Sequence, residues 1–272
     1  MCIVCDNAGM NVSRLSVYSG PSGDHNDAAM AAVSDVGRAL AERLRCAAVT
    51  VGQPEPVVAG GWRAQLEQAR PSLRALADRI DEVLAAGSAP VTAMTRCAVA
   101  LATVPRVLAA HPETVVVWFD AHGDINTPAD TTSGYLGGMA LSGPLGWWDS
   151  DLGAGLPAIQ SVLVGARDLD TAEVAHTRSG AIALVAPGPG LSDRLAEAVR
   201  GRPVYLHLDC DVLEPGTVST DYRVPGGLAL SDLATCARSL ASGPVVGVEV
   251  AEYEGADRVG AAELVDAIAP LL

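Results

Sequence analysis

The chain has 272 residues, of which 49% are hydrophobic and 4% aromatic, so it can bury a sizeable core made of small aliphatic side chains. Its 32 Asp and Glu residues outnumber 18 basic residues, and the formal net charge of −14 excludes a binder of nucleic acid or of anionic membranes. No stretch reaches the roughly 18 apolar residues of a membrane span and no signal-peptide pattern is present, so we expect a cytoplasmic protein.

Short Val-rich runs alternate with segments of helical periodicity, which is typical of a parallel sheet covered on both faces. The predicted strands, in chain order, are Arg14–Tyr18, Ala47–Val51, Pro90–Met94, Thr114–Phe119, Ser161–Val164, Ala181–Val185, Val204–Leu208 and Val245–Val248. The predicted helices are Asp27–Arg45, Gln65–Ala86, Arg96–Ala110, Asp193–Val199, Ser231–Leu240 and Ala261–Ile268. This order predicts a three-layer α/β/α fold with an eight-stranded, mainly parallel sheet.

We expect a single domain over residues 1–272, because no change of composition, linker or repeat divides the chain. The alternative is a two-domain α/β protein whose N-terminal unit ends at Gly87. Six cysteines without a secretion signal are expected to be reduced thiols. The spacing of Cys2 and Cys5 is interpreted as incidental, because no second pair completes a zinc site.

Acidic residues follow two of the predicted strands. The fourth strand runs into Asp120, His122 and Asp124. The seventh runs into Asp209 and Asp211. Because ligands bind at the carboxyl ends of strands in open α/β sheets, these side chains can converge there. Four carboxylates repel one another unless cations neutralise them, so the pattern predicts a divalent metal site, with Mn²⁺ favoured and Fe²⁺, Co²⁺ or Zn²⁺ also open.

These strand ends resemble those of the arginase and agmatinase ureohydrolases, which carry a D-A-H-x-D motif and a later D-x-D motif. The resemblance extends to the segments WFDAHGDINTP, TTSGYLGGMAL, GARDLDTAE and VEVAEYE, and it covers about Pro90 to Glu254. It implies a hydrolase of linear amidines with two metal ions, in which hydroxide attacks a guanidinium carbon. Trimers and hexamers are common in this family, so the resemblance also favours a homo-oligomer.

The resemblance implies a role for each acidic residue of the metal site. Asp120 and Asp209 would bridge the two ions. Asp124 would complete one coordination sphere, while His122 and Asp211 would complete the other.

The resemblance also assigns the guanidino end of the substrate. Glu252 would pair with the guanidinium group in bidentate geometry, and Glu252 and Asp124 are the predicted catalytic residues. Glu249, three residues earlier, is the competing candidate for the role of Glu252.

A second group of residues matches the amino-acid end of an arginase substrate. Asn126 and Ser133 match positions that receive an α-carboxylate, and Asp170 and Glu173 match positions that bind an α-amino group. Together they favour a guanidino amino acid over agmatine, which lacks the carboxylate.

Two positions depart from the arginase pattern. Cys97 stands where a G-G-D-H-S element supplies a His ligand, and Gly137 stands where the His of an S-G-N-x-H-G element is thought to shuttle protons. We expect the soft thiol to weaken the occupancy of one metal ion. His207 is expected either to point away from Asp209 or to support it.

Both departures are similar to the N-omega-hydroxy-L-arginine amidinohydrolase branch of the family, known from D-cycloserine-type antibiotic biosynthesis. There a Cys occupies the ligand position, and the segment GYLGGM occurs. A hydroxyguanidine has a lower pKa than a guanidine and needs less help from a proton shuttle. We therefore expect hydrolysis of N-omega-hydroxy-L-arginine to L-ornithine and hydroxyurea. The alternatives are arginase, guanidino-acid hydrolase or formiminoglutamase activity, or a non-catalytic homologue that binds an amino acid.

Overall fold

The computed structural model describes residues 14–272, so Cys2 and Cys5 lie outside the described part of the chain. Its main sheet has eight parallel strands, in the order β2-β1-β3-β9-β7-β4-β5-β6. These are β1 Leu15–Tyr18, β2 Ala48–Val51, β3 Val91–Met94, β4 Val115–Phe119, β5 Ser161–Val164, β6 Ala183–Val185, β7 Val204–Asp209 and β9 Val245–Ala251. The predicted eight-stranded parallel sheet is confirmed. Two short strands, β8 Val218–Ser219 and β10 Gly255–Ala256, pair separately and were not predicted.

Seven α-helices occur in the described residues. They are α1 Ala28–Leu44, α2 Trp62–Ala85, α3 Ala100–Ala110, α4 Thr171–Arg178, α5 Leu191–Val199, α6 Leu230–Leu240 and α7 Ala261–Ile268. Helix α4 was not predicted, because it is short and has little apolar periodicity; a capping box between Asp170 and Glu173 starts it. The third helix begins later than predicted, since Cys97–Val99 form a 3₁₀ turn before it.

The helices cover both faces of the sheet. Side chains of α1, α5, α6 and α7 pack in one hydrophobic cluster, while those of α2 and α3 pack in the other. Strand β4 is apolar throughout because both of its faces are buried. Val117 and Phe119 face the first cluster, and Val116 and Trp118 face the second. None of the described helices is long and apolar enough to cross a membrane.

The sheet order brings four strand ends together. Strands β3 and β4 follow each other along the chain, yet β9 and β7 lie between them in the sheet. The carboxyl ends of β3, β9, β7 and β4 are therefore neighbours, and each leads into a residue that the sequence analysis singled out. Such a change in strand order opens a crevice in α/β sheets.

Candidate active site

Cys97, Glu252, Asp209 and Asp120 lie at the ends of the four central strands. The backbone N–H of Cys97 donates to Oε1 of Glu252 at 2.9 Å, and the Cys97 thiol lies 3.1 Å from Oδ2 of Asp209. Asp209 is the last residue of β7 and is paired in register with Ala251, which precedes Glu252. The neighbouring strand ends thus hold these side chains against one another.

The six predicted metal ligands and Glu252 form three overlapping groups, within each of which the ligand atoms lie within 4.8 Å of one another. The groups are Cys97, Asp209 and Glu252; Cys97, Asp120 and Asp124; and Asp120, His122 and Asp211. All six predicted ligands are brought together, and Asp120 belongs to two groups. Asp209 groups with Cys97 and Glu252 but not with His122. This differs from the resemblance, which implied that Asp209 bridges the two ions.

The acidic cluster is electrostatically unfavourable as it stands. Burial, followed by repulsion from neighbouring carboxylates, raises the pKa of Asp124, Asp209 and Asp211 above the usual range. Burial would raise the pKa of Asp120 too, but hydrogen bonding from His122 lowers it. A divalent cation would stabilise the ionised carboxylates, and a donor set of oxygens, an imidazole and a thiol fits a first-row transition metal.

His122 lies between two of these carboxylates. Its Nδ1 is 3.2 Å from Oδ1 of Asp120 and 3.1 Å from Oδ2 of Asp211. Burial opposes protonation of the imidazole, but these contacts outweigh it and hold the pKa of His122 above its usual value. A metal ion would have to displace a proton from this ring before the ring could bind it.

Two site residues adopt a left-handed backbone although they are not glycine. Asp124 has a φ of 55° and Glu252 a φ of 62°. Such conformations are uncommon for residues with a Cβ, and they persist where the surrounding structure fixes them. Both side chains consequently turn into the crevice at the strand ends, where they line one cavity.

A buried polar chain lies beneath Cys97. Its Sγ is 3.2 Å from Nε2 of His207, and Nδ1 of the same ring is 2.7 Å from Oε1 of Glu249. The hydroxyls of Tyr205 and Thr103 each donate to Oε2 of Glu249 at 2.6 Å. His207 was expected either to point away from Asp209 or to support it; its ring contacts Cys97, and Cys97 in turn contacts Asp209. Glu249 is fully buried within this hydrogen-bonded chain and does not line the cavity. Of the two candidate carboxylates, the one that lines the cavity is that of Glu252.

Trp118 joins this buried chain to the metal ligands. Its ring stacks on that of His207 with centroids 3.4 Å apart, and its Nε1 donates to Oδ2 of Asp120 at 2.9 Å. Trp118 and His207 are register partners on β4 and β7, which explains the stacking. The indole therefore fixes one oxygen of Asp120.

Arg96 is a buried cation that the sequence analysis missed. Its guanidinium donates to Oδ1 of Asp24 at 3.0 Å, to Oε2 of Glu252 at 2.7 Å and to Oε1 of Glu254 at 2.7 Å. Both oxygens of Glu252 are thus engaged, one by Arg96 and one by the N–H of Cys97. Burial raises the pKa of Glu252 to about 7, and Arg96 acts in the opposite direction. The only signal in the sequence was the position of Arg96 directly before Cys97.

The four residues predicted for the amino-acid end line the same cavity as five of the six predicted metal ligands, the exception being Asp120. Asn126 donates from Nδ2 to Oδ2 of Asp170 at 2.8 Å, and its Oδ1 is buried without a hydrogen-bond partner among residues 14–272. Glu173 accepts from the N–H groups of Asp170 and Ile125 at 2.9 and 3.1 Å. Burial raises the pKa of Glu173 to about 7. The hydroxyl of Ser133 is exposed and accepts from a neighbouring backbone N–H.

Tyr135 also faces this cavity and was missed by the sequence analysis. A Cβ atom on Gly137 would lie 2.3 Å from Cε1 and 2.9 Å from Oη of Tyr135. The phenol ring therefore occupies the space into which a side chain at position 137 would project. Its ring packs on that of His25, with centroids 4.3 Å apart, and Tyr222 lies beside both.

Comparisons with known proteins agree with this architecture. A model described as the arginase family matches residues 17–265. The chain is 41% identical over 215 residues to the N(omega)-hydroxy-L-arginine amidinohydrolase of Streptomyces lavendulae, and this alignment covers 79% of each protein. It is 28% identical over 187 residues to the arginase of Bacillus caldovelox, covering 63% of this chain and 62% of that one. The crystal structure of arginase from Bacillus cereus has a TM-score of 0.82 at 23% identity, with 94% of this chain and 97% of that chain covered.

Proposed function

The chain belongs to the arginase family, and from this premise we propose that it hydrolyses N-omega-hydroxy-L-arginine to L-ornithine and hydroxyurea. The observation that carries the proposal is one cavity that joins a buried acidic cluster to residues suited to an amino acid, with Cys97 and Gly137 at the two positions that depart from arginases. Similarity to the Streptomyces lavendulae enzyme over most of its length supports the same substrate.

The family is metal-dependent, and we propose Mn²⁺ as the ion, because most donors of the cluster are carboxylates. Asp120, Asp124 and Cys97 would hold one ion, and Asp120, His122 and Asp211 the other, with Asp209 contributing from the side of Cys97. When bound, the metal supplies Lewis acidity and lowers the pKa of water toward neutrality.

Glu252 is proposed to hold the guanidino group. Its carboxylate lines the cavity, where it can accept N–H bonds from a planar substrate and orient the carbon for attack. Arg96 and the N–H of Cys97 keep the carboxylate in place. Glu252 would therefore pair with the guanidino group of the substrate and with the guanidinium of Arg96 at the same time.

Asp124 is proposed to move the proton. Its carboxyl group lines the cavity and its pKa is raised by burial and by Asp120. In the reaction the oxygen of water bonds to the guanidino carbon and the bond from that carbon to the chain nitrogen breaks. Asp124 would accept a proton from the water and pass it to the departing amine, so that ornithine leaves as the amine.

Other residues of the same cavity are proposed to bind the α-amino and α-carboxylate groups. Asp170 and Glu173 offer carboxylates to the ammonium group. The unpaired Oδ1 of Asn126 is an acceptor, so it also suits an ammonium N–H. Receiving a carboxylate would require the amide of Asn126 to turn its Nδ2 outward, alongside the exposed hydroxyl of Ser133.

The proposal is tested by comparing kcat/KM for N-omega-hydroxy-L-arginine, L-arginine and agmatine on one preparation of metal-loaded protein. We expect the hydroxylated amino acid to be the best substrate and agmatine the poorest. Faster agmatine hydrolysis would contradict an amino-acid substrate, and faster arginine hydrolysis would indicate an arginase. Tight binding without turnover of any guanidino, amidino or formimino compound would indicate a non-catalytic homologue.

Oligomeric state and location remain predictions. We propose a homotrimer or homohexamer in the cytoplasm, on the basis of the family resemblance. Light scattering after size-exclusion chromatography measures the assembly directly, and a monomer at working concentration would contradict it.

A further inference from the structure

Tyr135 occupies the space that the absence of a side chain at Gly137 leaves open. A Cβ added there would meet Cε1 at 2.3 Å, Cζ at 2.7 Å and Oη at 2.9 Å of the phenol. Distances below about 3.0 Å are not tolerated between such atoms without movement. Gly137 and Tyr135 are consequently one structural unit: the phenol can lie here only because position 137 carries no side chain.

The ring of Tyr135 is fixed in position. It packs on the imidazole of His25 at a centroid distance of 4.3 Å and a 30° tilt, and His25 is itself held by Asp221 at 2.8 Å. On another edge, Cε2 lies 3.5 Å from the position that a Cβ on Gly23 would take. These contacts hold a partly buried ring from two sides and so position its hydroxyl.

The phenol lies close enough to Glu252, Arg96 and Cys97 for their charges to act on it. Tyr135 lines the cavity together with Glu252 and Cys97. Burial raises the pKa of its phenol well above the usual value, and the charge of Glu252 is the next cause in the same direction. The hydroxyl is therefore an un-ionised O–H group close to the carboxylate that is proposed to hold the substrate.

The two candidate substrates differ in the hydrogen-bonding groups that they would present to this hydroxyl. A plain guanidinium offers only N–H donors and no acceptor. An N-hydroxyguanidine adds one oxygen that can accept a hydrogen bond. We propose that Tyr135 donates from Oη to the N-hydroxyl oxygen and thereby selects N-hydroxylated guanidines over unmodified ones; this inference rests on the proposed function. A site that hydrogen-bonds a substrate hydroxyl discriminates strongly against the analogue that lacks it.

The test is the variant Tyr135→Phe, which removes the hydroxyl and keeps the ring. We expect kcat/KM for N-omega-hydroxy-L-arginine to fall about fivefold, the usual effect of one lost hydrogen bond, and kcat/KM for L-arginine to stay within about twofold. Tyr222→Phe removes a second hydroxyl from the same cavity and is the matched control, with the ratio between the two substrates unchanged. Circular dichroism and metal content are measured for each variant to verify folding.

Equal losses for both substrates, or no loss for either, would overturn the proposal. A binding measurement separates it from the proposed function. Competition by free N-hydroxyguanidine and by guanidine is compared in the wild type and in Tyr135→Phe. If the wild type prefers arginine, the proposed function fails, yet a selective loss of N-hydroxyguanidine affinity in Tyr135→Phe still supports the role of Tyr135, and an unchanged affinity refutes it.

Discussion

Arg96 and Glu252 form a buried ion pair in which Nη1 of the guanidinium lies 2.7 Å from Oε2 of the carboxylate. The arginine side chain is fully buried and the carboxylate only 8% exposed, so the pair is shielded from solvent. A guanidinium of the protein thus already contacts the carboxylate that is proposed to receive the guanidino group of the substrate. Removing either charge should affect stability and binding together.

We predict that Arg96→Met destabilises the protein by about 3–5 kcal/mol, because it leaves Asp24, Glu252 and Glu254 as buried acids without their cation. Urea unfolding of the metal-free protein measures the change. The control is Arg38→Met, which removes an exposed pair with Asp35 and should cost less than about 1 kcal/mol. Similar losses in the two variants would contradict the importance of the buried pair.

The second prediction concerns Cys97. Its thiol is buried and hydrogen-bonded toward Asp209, and burial raises its pKa well above the usual value. A thiol that keeps its proton is a poor ligand for Mn²⁺, so protein purified without added metal should contain fewer than about two ions per chain. Cys97→His should raise the content, as measured by elemental analysis. Full occupancy in the wild type, unchanged by the substitution, would show that the thiol is an adequate ligand.

The third prediction is a pH dependence set by Glu173, whose pKa is raised from 4.5 to about 7 by burial. Since the folded pKa is the higher one, this group stabilises the fold below about pH 4.5 and the contribution is lost as the pH rises through about 7. The ionised carboxylate that forms as the pH rises through about 7 binds an ammonium group better than the protonated carboxyl group does. KM for the amino-acid substrate should therefore fall between about pH 6 and pH 8.

Glu173→Gln removes the titrating carboxyl group and keeps the shape of the side chain, although its single oxygen can accept only one of the two N–H bonds that Asp170 and Ile125 donate to the two oxygens of Glu173. We expect the variant to show a flatter KM profile between about pH 6 and pH 8, and a smaller loss of thermal stability of the metal-free protein between about pH 4.5 and pH 7. Identical profiles for the wild type and the variant would exclude Glu173 as the titrating group.

The fourth prediction is that the chain unfolds as one domain. Strand β3 pairs directly with β9, and Arg14 donates to the carbonyl of Leu272, so the N-terminal and C-terminal parts share one sheet. Cleavage near Gly87 should not release two folded fragments. Limited proteolysis followed by circular dichroism of the products decides this, and two stable pieces would favour the two-domain alternative.

Most strands could be predicted from sequence because a strand that is buried on both faces must be apolar throughout, as in β4. The clustering of the proposed metal ligands could be predicted for a related reason: acids that directly follow buried parallel strands lie at the same edge of the sheet. Helix α4 was not predicted, because the one residue that it buries is Glu173 and its sequence therefore lacks an apolar face. Its capping pattern of Asp170 and Glu173 was the available signal, and it was interpreted only as a substrate site.

The roles of Arg96 and Tyr135 could not be predicted, because their surroundings are assembled from distant parts of the chain. The three acidic partners of Arg96 are 72, 156 and 158 residues away. For Tyr135, the glycine two positions later was noticed as a missing imidazole. That the phenol fills the same space depends on how the loop packs on His25, which no spacing rule specifies.

The stacking of Trp118 on His207 gives this protein an internal optical probe. The indole is fully buried, and it touches both the ring beneath Cys97 and an oxygen of Asp120. The electronic environment of one tryptophan is therefore tied to the protonation and ligation of the acidic cluster. Intrinsic fluorescence should therefore change during titration with Mn²⁺, without any added dye. In the variant Trp118→Phe this change should be lost, while Trp62, which packs on Trp148, should still fluoresce.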